Sequence, residues 1–175
     1  MSFAIFNVQV EPYAQMMTKH PRPVLKFERL ADALATAEDL AQLQYAGKQL
    51  ITTGRFSLPQ IVEHLARSID IGLGKSAVTK APWLLRFIAK RMKNRVLKNG
   101  MKPGFRLPAK TQDIFWPNEE VDLSLAMQHY AESISELMSN TTLLEHPYFG
   151  EMTRSETELL HCRHAELHLS FVIAD

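Results

Sequence analysis

The chain has 175 residues, 46% of them hydrophobic and 22% charged, and a formal net charge of +1. That length suffices for one domain with its own core, the composition is that of an ordinary globular protein, and the charge gives no global field for nucleic acid or an anionic surface. The single cysteine, Cys162, excludes an intrachain disulfide framework and fits a reducing compartment.

Residues 1–23 lack the basic, apolar and small-residue succession of a secretory signal, and no run approaches the roughly 18 apolar residues of a membrane span. They read as a lead-in segment of a cytoplasmic protein. From Phe27 to Leu50 the residues Leu30, Ala33, Leu34, Ala37, Leu40, Ala41 and Leu43 fall near a 3.6 period, predicting a long first helix that ends at Thr52-Thr53-Gly54. Ser57 with Gln60 forms a capping box around Pro59 and opens a second helix from about Leu58 to Ile71, closed by Gly72 and Gly74. His64 lies there on the face of Ile61, Leu65 and Ser68, pointing inward.

Between Lys75 and Gln112 the composition shifts. Eleven basic residues (Lys75, Lys80, Arg86, Lys90, Arg91, Lys93, Arg95, Lys98, Lys102, Arg106 and Lys110) occur with no Asp or Glu among them. Trp83, Leu84, Phe87, Ile88, Met92, Val96 and Leu97 interleave at helical spacing, so Pro82 to Asn99 reads as a basic amphipathic helix. Such a helix either covers the core with solvated or paired charges, the commoner outcome, or faces an anionic partner. Gly100 to Pro117 is a long loop punctuated by Pro103, Pro108 and Pro117. Asn118 to Asn140 reads as the next helix, with Asn118 as its cap, Glu119, Glu120 and Asp122 near its positive end, and Leu123, Met127, Tyr130, Ile134, Leu137 and Met138 inward. His129 falls off that stripe and is expected at the surface. Thr141 to Met152 forms a loop, and a second capping box, Thr153 with Glu156, opens the last helix. The pattern predicts an all-α single domain over 1–175: four long helices around one core, with residues 75–117 forming a basic helix and loop inserted between the second and third.

The last helix carries the chemistry. His161, His164 and His168 are spaced three and four residues apart and share a face with Leu160, Leu167 and Phe171. Inward imidazoles need partners, since unsatisfied buried polar groups are costly. Two partners fit: a metal ion, or hydrogen bonds among core histidines. In the first case His164 and His168 point the same way and His64, from the neighbouring helix, closes a facial tripod with a position left for water or substrate. In the second, all three are packed and satisfied by protein. Spacing alone leaves the two even.

These residues resemble the DinB/YfiT-like superfamily of metal-dependent enzymes, four-helix bundles in which one histidine comes from the second helix and an H-x-x-x-H pair from the last. The matching positions are His64 in GRFSLPQIVEHLARSI and His164 with His168 in LLHCRHAELHLSF. A closer resemblance is to a branch of unknown function with a segment like HPYFGEMT before the last helix, a Gly-x-x-Ser entry to the second, and a PGFRLP-like middle segment. The second helix there usually opens with Trp-Ser; here it opens with Phe56-Ser57. The resemblance implies a divalent metal on His64, His164 and His168, nickel or zinc first and iron or manganese next. It further implies a metal-dependent enzyme acting on a small molecule, either a thiol-dependent transferase or isomerase using a low-molecular-weight thiol, or a hydrolase. The alternative is a non-catalytic stress or interaction module that the metal stabilises.

His161, one turn before His164, reads as a neighbour of the ion, an alternate ligand or proton shuttle, or equally as a packed core histidine. His146, before Pro147, reads as an anchor of its loop or as a group reaching the metal face. Cys162 is taken as packing. Glu63 and Glu166 adjoin proposed ligands in sequence and so point elsewhere. The basic stretch from Lys90 to Arg106, with Arg91, Arg95 and Arg106, is a candidate holder of substrate carboxylates. Nucleic acid and membrane are not expected as partners, and a homodimer through an apolar face stays open.

Overall fold

A computed structural model describes residues 21–76, 80–104, 112, 114–117 and 119–174. Residues 1–20 of the expected lead-in, the Asn118 cap, Arg106, Lys110 and most of the PGFRLP segment lie outside them. The described residues are mostly helical. Five helices of 15 to 17 residues follow one another: α1 (Leu30–Tyr45), α2 (Leu58–Gly72), α3 (Trp83–Asn99), α4 (Leu123–Ser139) and α5 (Arg154–Leu169). Two three-residue strands, β1 (Leu50–Thr52) and β2 (Val172–Ala174), pair antiparallel with Leu50 opposite Ala174 and Thr52 opposite Val172. No described helix is long and apolar enough to cross a membrane.

The first helix is shorter than its apolar period. It stops at Tyr45 because Gly47 adopts φ 74°, a left-handed conformation that glycine takes without a side-chain clash. Lys48 N–H then reaches back to the Leu43 carbonyl at 3.0 Å and Gly47 N–H to the Gln44 carbonyl at 3.1 Å, a Schellman-type ending. Leu50, expected in the helix, instead begins β1. The expectation of a wholly α protein therefore gives way to a helical one with a small sheet. This sheet has a positional consequence: β1 leads through Thr53 to α2, while β2 continues directly from α5. Thr53 N–H donates to the Phe171 carbonyl at 2.8 Å, extending the tie, so the entry of α2 is fixed against the exit of α5.

The second and fifth helices start as the capping boxes predict. Ser57 N–H donates to Gln60 Oε1 at 3.1 Å, and Thr153 N–H donates to Glu156 Oε2 at 2.9 Å. The fourth starts four residues later than expected, at Leu123, because Asp122 rather than Asn118 is the cap: its Oδ1 accepts Leu125 N–H at 3.0 Å. Glu119 and Glu120 precede the helix rather than line its first turn.

One hydrophobic core joins Leu30, Ala33, Ala37 and Ala41 of α1 with Ile61, Leu65 and Ile69 of α2, Ala126, Tyr130 and Leu137 of α4, and Cys162, Ala165 and Leu169 of α5. The alanine stripe of α1 carries little bulk. In α3 the only buried residue is Leu97, so α3 sits against the outside of this core. Two polar ties hold the helices in place. The nearly inaccessible Arg163 pairs with Glu166, and the pair grips one residue: Arg163 Nη2 donates to the Phe27 carbonyl at 2.8 Å, while Phe27 N–H donates to Glu166 Oε1 at 2.6 Å. On the other side, His129 of α4 bridges two carboxylates of α2, Glu63 at 2.9 Å and Asp70 at 2.8 Å. His129 is thus no free surface residue; its position off the apolar stripe faces the acidic side of α2.

Candidate metal centre

His64 projects from the middle of α2 and is 3% exposed, while His164 and His168 project from α5 and are partly exposed. Their Nε2 atoms converge. His64 Nε2 lies 3.1 Å from His164 Nε2 and 3.3 Å from His168 Nε2, and the ligating atoms of all three lie within 4.8 Å of one another. The spacing within α5 aims two rings one turn apart at the same point, and the β1–β2 tie sets α2 at the height where His64 meets them.

Chemistry discriminates between the two expected partners. His64 Nδ1 lies 3.0 Å from the Phe115 carbonyl oxygen, which can only accept, so Nδ1 carries the proton and Nε2 offers one lone pair. Two nitrogens face that single lone pair at hydrogen-bond distance. One can donate to it; the other is then a close polar neighbour with nothing to exchange. A cation among the three satisfies all of them. The two separations from His64, 3.1 and 3.3 Å, suit it too: two imidazole nitrogens at about 2.0–2.1 Å from a tetrahedral ion lie roughly 3.3 Å apart. The residues therefore fit a divalent metal ion.

The electrostatics are those of uncharged ligands. Burial, followed by the neighbouring His164, drives His64 well below the ordinary imidazole pKa. Burial also dominates at His164, with His168, His161 and His146 adding to it, and at His168, with His64 and Arg22 adding. Neutral imidazole is the form that binds a metal.

Sequence reasoning missed the residues that shape the site around the histidines. Trp116 stacks flat on the His64 ring, with centroids 3.8 Å apart and planes 4° from parallel, and its other neighbour, Phe56, stacks at 3.6 Å. Trp116 also meets His168 edge-on at 5.3 Å. With the Phe115 carbonyl it fixes the orientation of His64. The only signal was an aromatic pair closing the proline-rich loop, with no periodicity to say where it would land. Arg22 closes the far end: its guanidinium lies 3.7 Å from the Phe171 ring centroid and donates to Ser170 Oγ at 2.5 Å, at the exit of α5.

The other expected residues divide. His161 is 9% exposed, pushed down to about pKa 3 by burial and then by His146, and has no hydrogen-bond partner among the described residues. It stays outside the three-nitrogen cluster. His146 anchors its turn: its Nδ1 accepts the N–H groups of Tyr148 at 3.2 Å and Phe149 at 3.1 Å, and its backbone bridges Gly150 in both directions. Burial lowers its pKa to about 4. Cys162 is fully buried, its thiol pushed up to about 12 by burial, as a packing residue should be. Glu63 and Glu166 are taken by His129 with Arg67 and by Arg163 with Phe27. Arg91 and Arg95, candidate holders of substrate carboxylates, lie exposed on α3, and Arg106 falls outside the described residues.

No curated protein and no solved structure matches this chain. Residues 17–175, nearly its whole length, match the model of a family described as a protein of unknown function, and the chain belongs to that family, DUF1569.

Proposed function

We propose that this chain is a metal-dependent enzyme of the DinB-like kind, a helical bundle in which His64, His164 and His168 hold one divalent first-row ion. The observation that carries the reading is the convergence of three Nε2 atoms around a His64 whose tautomer leaves it a single lone pair. Nickel or zinc is the proposed ion, with iron or manganese next, as the DinB-like resemblance implies; imidazole ligands serve all four and do not choose among them. When bound, such an ion supplies Lewis acidity that makes a thiol or water at its open position nucleophilic near neutral pH.

This chain's own residues supply the rest. The Phe115 carbonyl and the Trp116 ring hold His64 in one tautomer and one orientation, as partners around metal ligands do. The Phe56–Trp116–His64 stack excludes water from the α2 side, while the partial exposure of His164 and His168 leaves the α5 side as the approach for a small molecule. His161, one turn before His164 and with no hydrogen-bond partner among the described residues, is the proposed proton shuttle, with His146 as its electrostatic neighbour. The reaction proposed is a transfer or isomerisation using a low-molecular-weight thiol, or a hydrolysis. Because the three histidines also join α2 to α5, a metal that only staples the two helices is the second reading.

The test is metal content in protein purified without a nickel column, comparing wild type with His164→Ala and His168→Ala. About one equivalent in wild type and none in either variant is expected. A wild type that takes up no metal after incubation with zinc, nickel or manganese would remove the basis of the proposal. Given a loaded protein, exchange of a labelled thiol at the metal separates the enzyme reading from the staple, which predicts none.

A further inference from the structure

The helix α3 divides its charges by face. Toward the protein, Arg86 pairs with Glu145, as does Lys80 just before the helix, and Lys93 pairs with Glu156 at 2.6 Å. Outward, Arg91, Arg95 and Lys98 have no ion-pair partner among the described residues; Arg91 lies over the Phe87 ring, 4.5 Å from its centroid. The same outward surface carries the largest exposed apolar side chains of the helix: Trp83 at 78%, Leu84 at 53% and Phe87 at 50%, with Ile88 and Met92 beside them. At 100° per residue, Trp83, Leu84, Phe87 and Ile88 cover the first half of that face, and Arg91, Arg95 and Lys98 cover the second. The inward ion pairs pin the helix so that this face stays turned out.

We infer that α3 is a docking helix for anionic lipid, lying along a membrane surface with Trp83, Leu84, Phe87, Ile88 and Met92 among the acyl chains and Arg91, Arg95 and Lys98 at the headgroup phosphates. A convex helix with bulky apolar and aromatic residues beside unpaired cations is suited to a fluid anionic interface. A second copy of the chain is disfavoured by charge. A two-fold interface sets the same patch against itself, and here that opposes three unpaired cations to three others, with no carboxylate on either helix. The overall charge of +1 averages over acidic residues elsewhere in the chain and so conceals this local field. The inference is independent of the metal site.

The experiment is flotation of the full chain with vesicles of pure phosphatidylcholine and of phosphatidylcholine with 30% phosphatidylserine, about one lipid in three being anionic. Wild type is expected to float with the anionic vesicles only, and less as salt rises. One basic residue near such a surface contributes roughly five-fold, so Arg91→Glu, Arg95→Glu and Lys98→Glu together should lower partitioning by about 100-fold or more. Leu84→Ser with Phe87→Ser should also release the protein. Circular dichroism and metal content, unchanged in both variants, exclude unfolding. Wild type that stays unbound to anionic vesicles overturns the inference, as do variants that bind like wild type. A concentration-dependent dimer lost in the Leu84 and Phe87 variant would also overturn it, assigning the face to a second copy.

Discussion

Removing one ligand of the proposed tripod separates a metal site from a cluster of packed histidines by a difference of differences. In the metal reading, an ion that binds only the folded chain stabilises it by about 2.7 kcal/mol at a free concentration one hundred times its Kd. For a chain of this length, 1 kcal/mol moves the melting midpoint by roughly 2–4 °C, so loading should raise it by about 5–11 °C. His168→Ala removes a nitrogen that lies 3.3 Å from His64 Nε2 and leaves two ligands on separate helices. The rise on loading should then fall below about 2 °C, since two ligands hold an ion far more weakly. In the packed reading the same substitution breaks a hydrogen bond worth about 1–3 kcal/mol with or without metal. Scanning calorimetry of wild type and variant, each stripped with a chelator and then reloaded, reads all four states. A wild type whose midpoint ignores metal would refute the reasoning, as would a variant destabilised equally in the stripped and loaded states.

The two polar ties give further expectations. Burial opposes the charge on His129, but its hydrogen bonds to Glu63 and then Asp70 outweigh burial and raise its pKa above 6.5. Its bridging contribution is therefore complete below about pH 6.5 and is lost as pH rises through the folded value, and His129→Gln should flatten urea stability across that window. Asp70 behaves oppositely: burial opposes its charge, yet His129, Ser133 and Lys75 hold its carboxyl below 3.8, so its contribution is lost only as strong acid protonates it. Glu166→Gln leaves Arg163 buried without its counter-charge and should cost about 3–5 kcal/mol in urea denaturation, whereas an exposed pair would cost under about 1. Thr153→Ala removes the cap of α5 and should cost about 1 kcal/mol, with metal content preserved.

What the sequence made legible was periodic and local. The 3.6-residue apolar pattern located α1, α3 and α4, the two capping boxes located α2 and α5, and the four-residue spacing of His164 and His168 put them on one face. Long-range pairing was not legible. β1 and β2 are three residues each, too short for an alternation to stand out, and lie some 120 residues apart. Leu50 falls within the expected α1 because Leu43, Ala46 and Leu50 keep a helical spacing across Gly47. His129 was judged by its own helix alone, while its partners, Glu63 and Asp70, sit seven residues apart on another. Arg163 with Glu166 has the three-residue spacing of an ordinary surface pair, and nothing in that spacing reveals that both grip the backbone of Phe27.

The same contrast explains how the site is built. Its nitrogens come from regular helices, which give direction but cannot fix the turn of an imidazole ring. That last degree of freedom is set by Phe115 and Trp116, from a loop between α3 and α4, and by Phe56, from the turn after β1. Helices α2 and α5 thus place His64 within about 3 Å of its partners, and the loops determine which nitrogen faces them. A substitution that spares every histidine should therefore still damage the centre. Trp116→Leu keeps apolar volume but removes the flat face against His64, so it should weaken metal retention against a competing chelator while leaving helical content unchanged. Retention equal to wild type would mean that the two helices alone orient the ring.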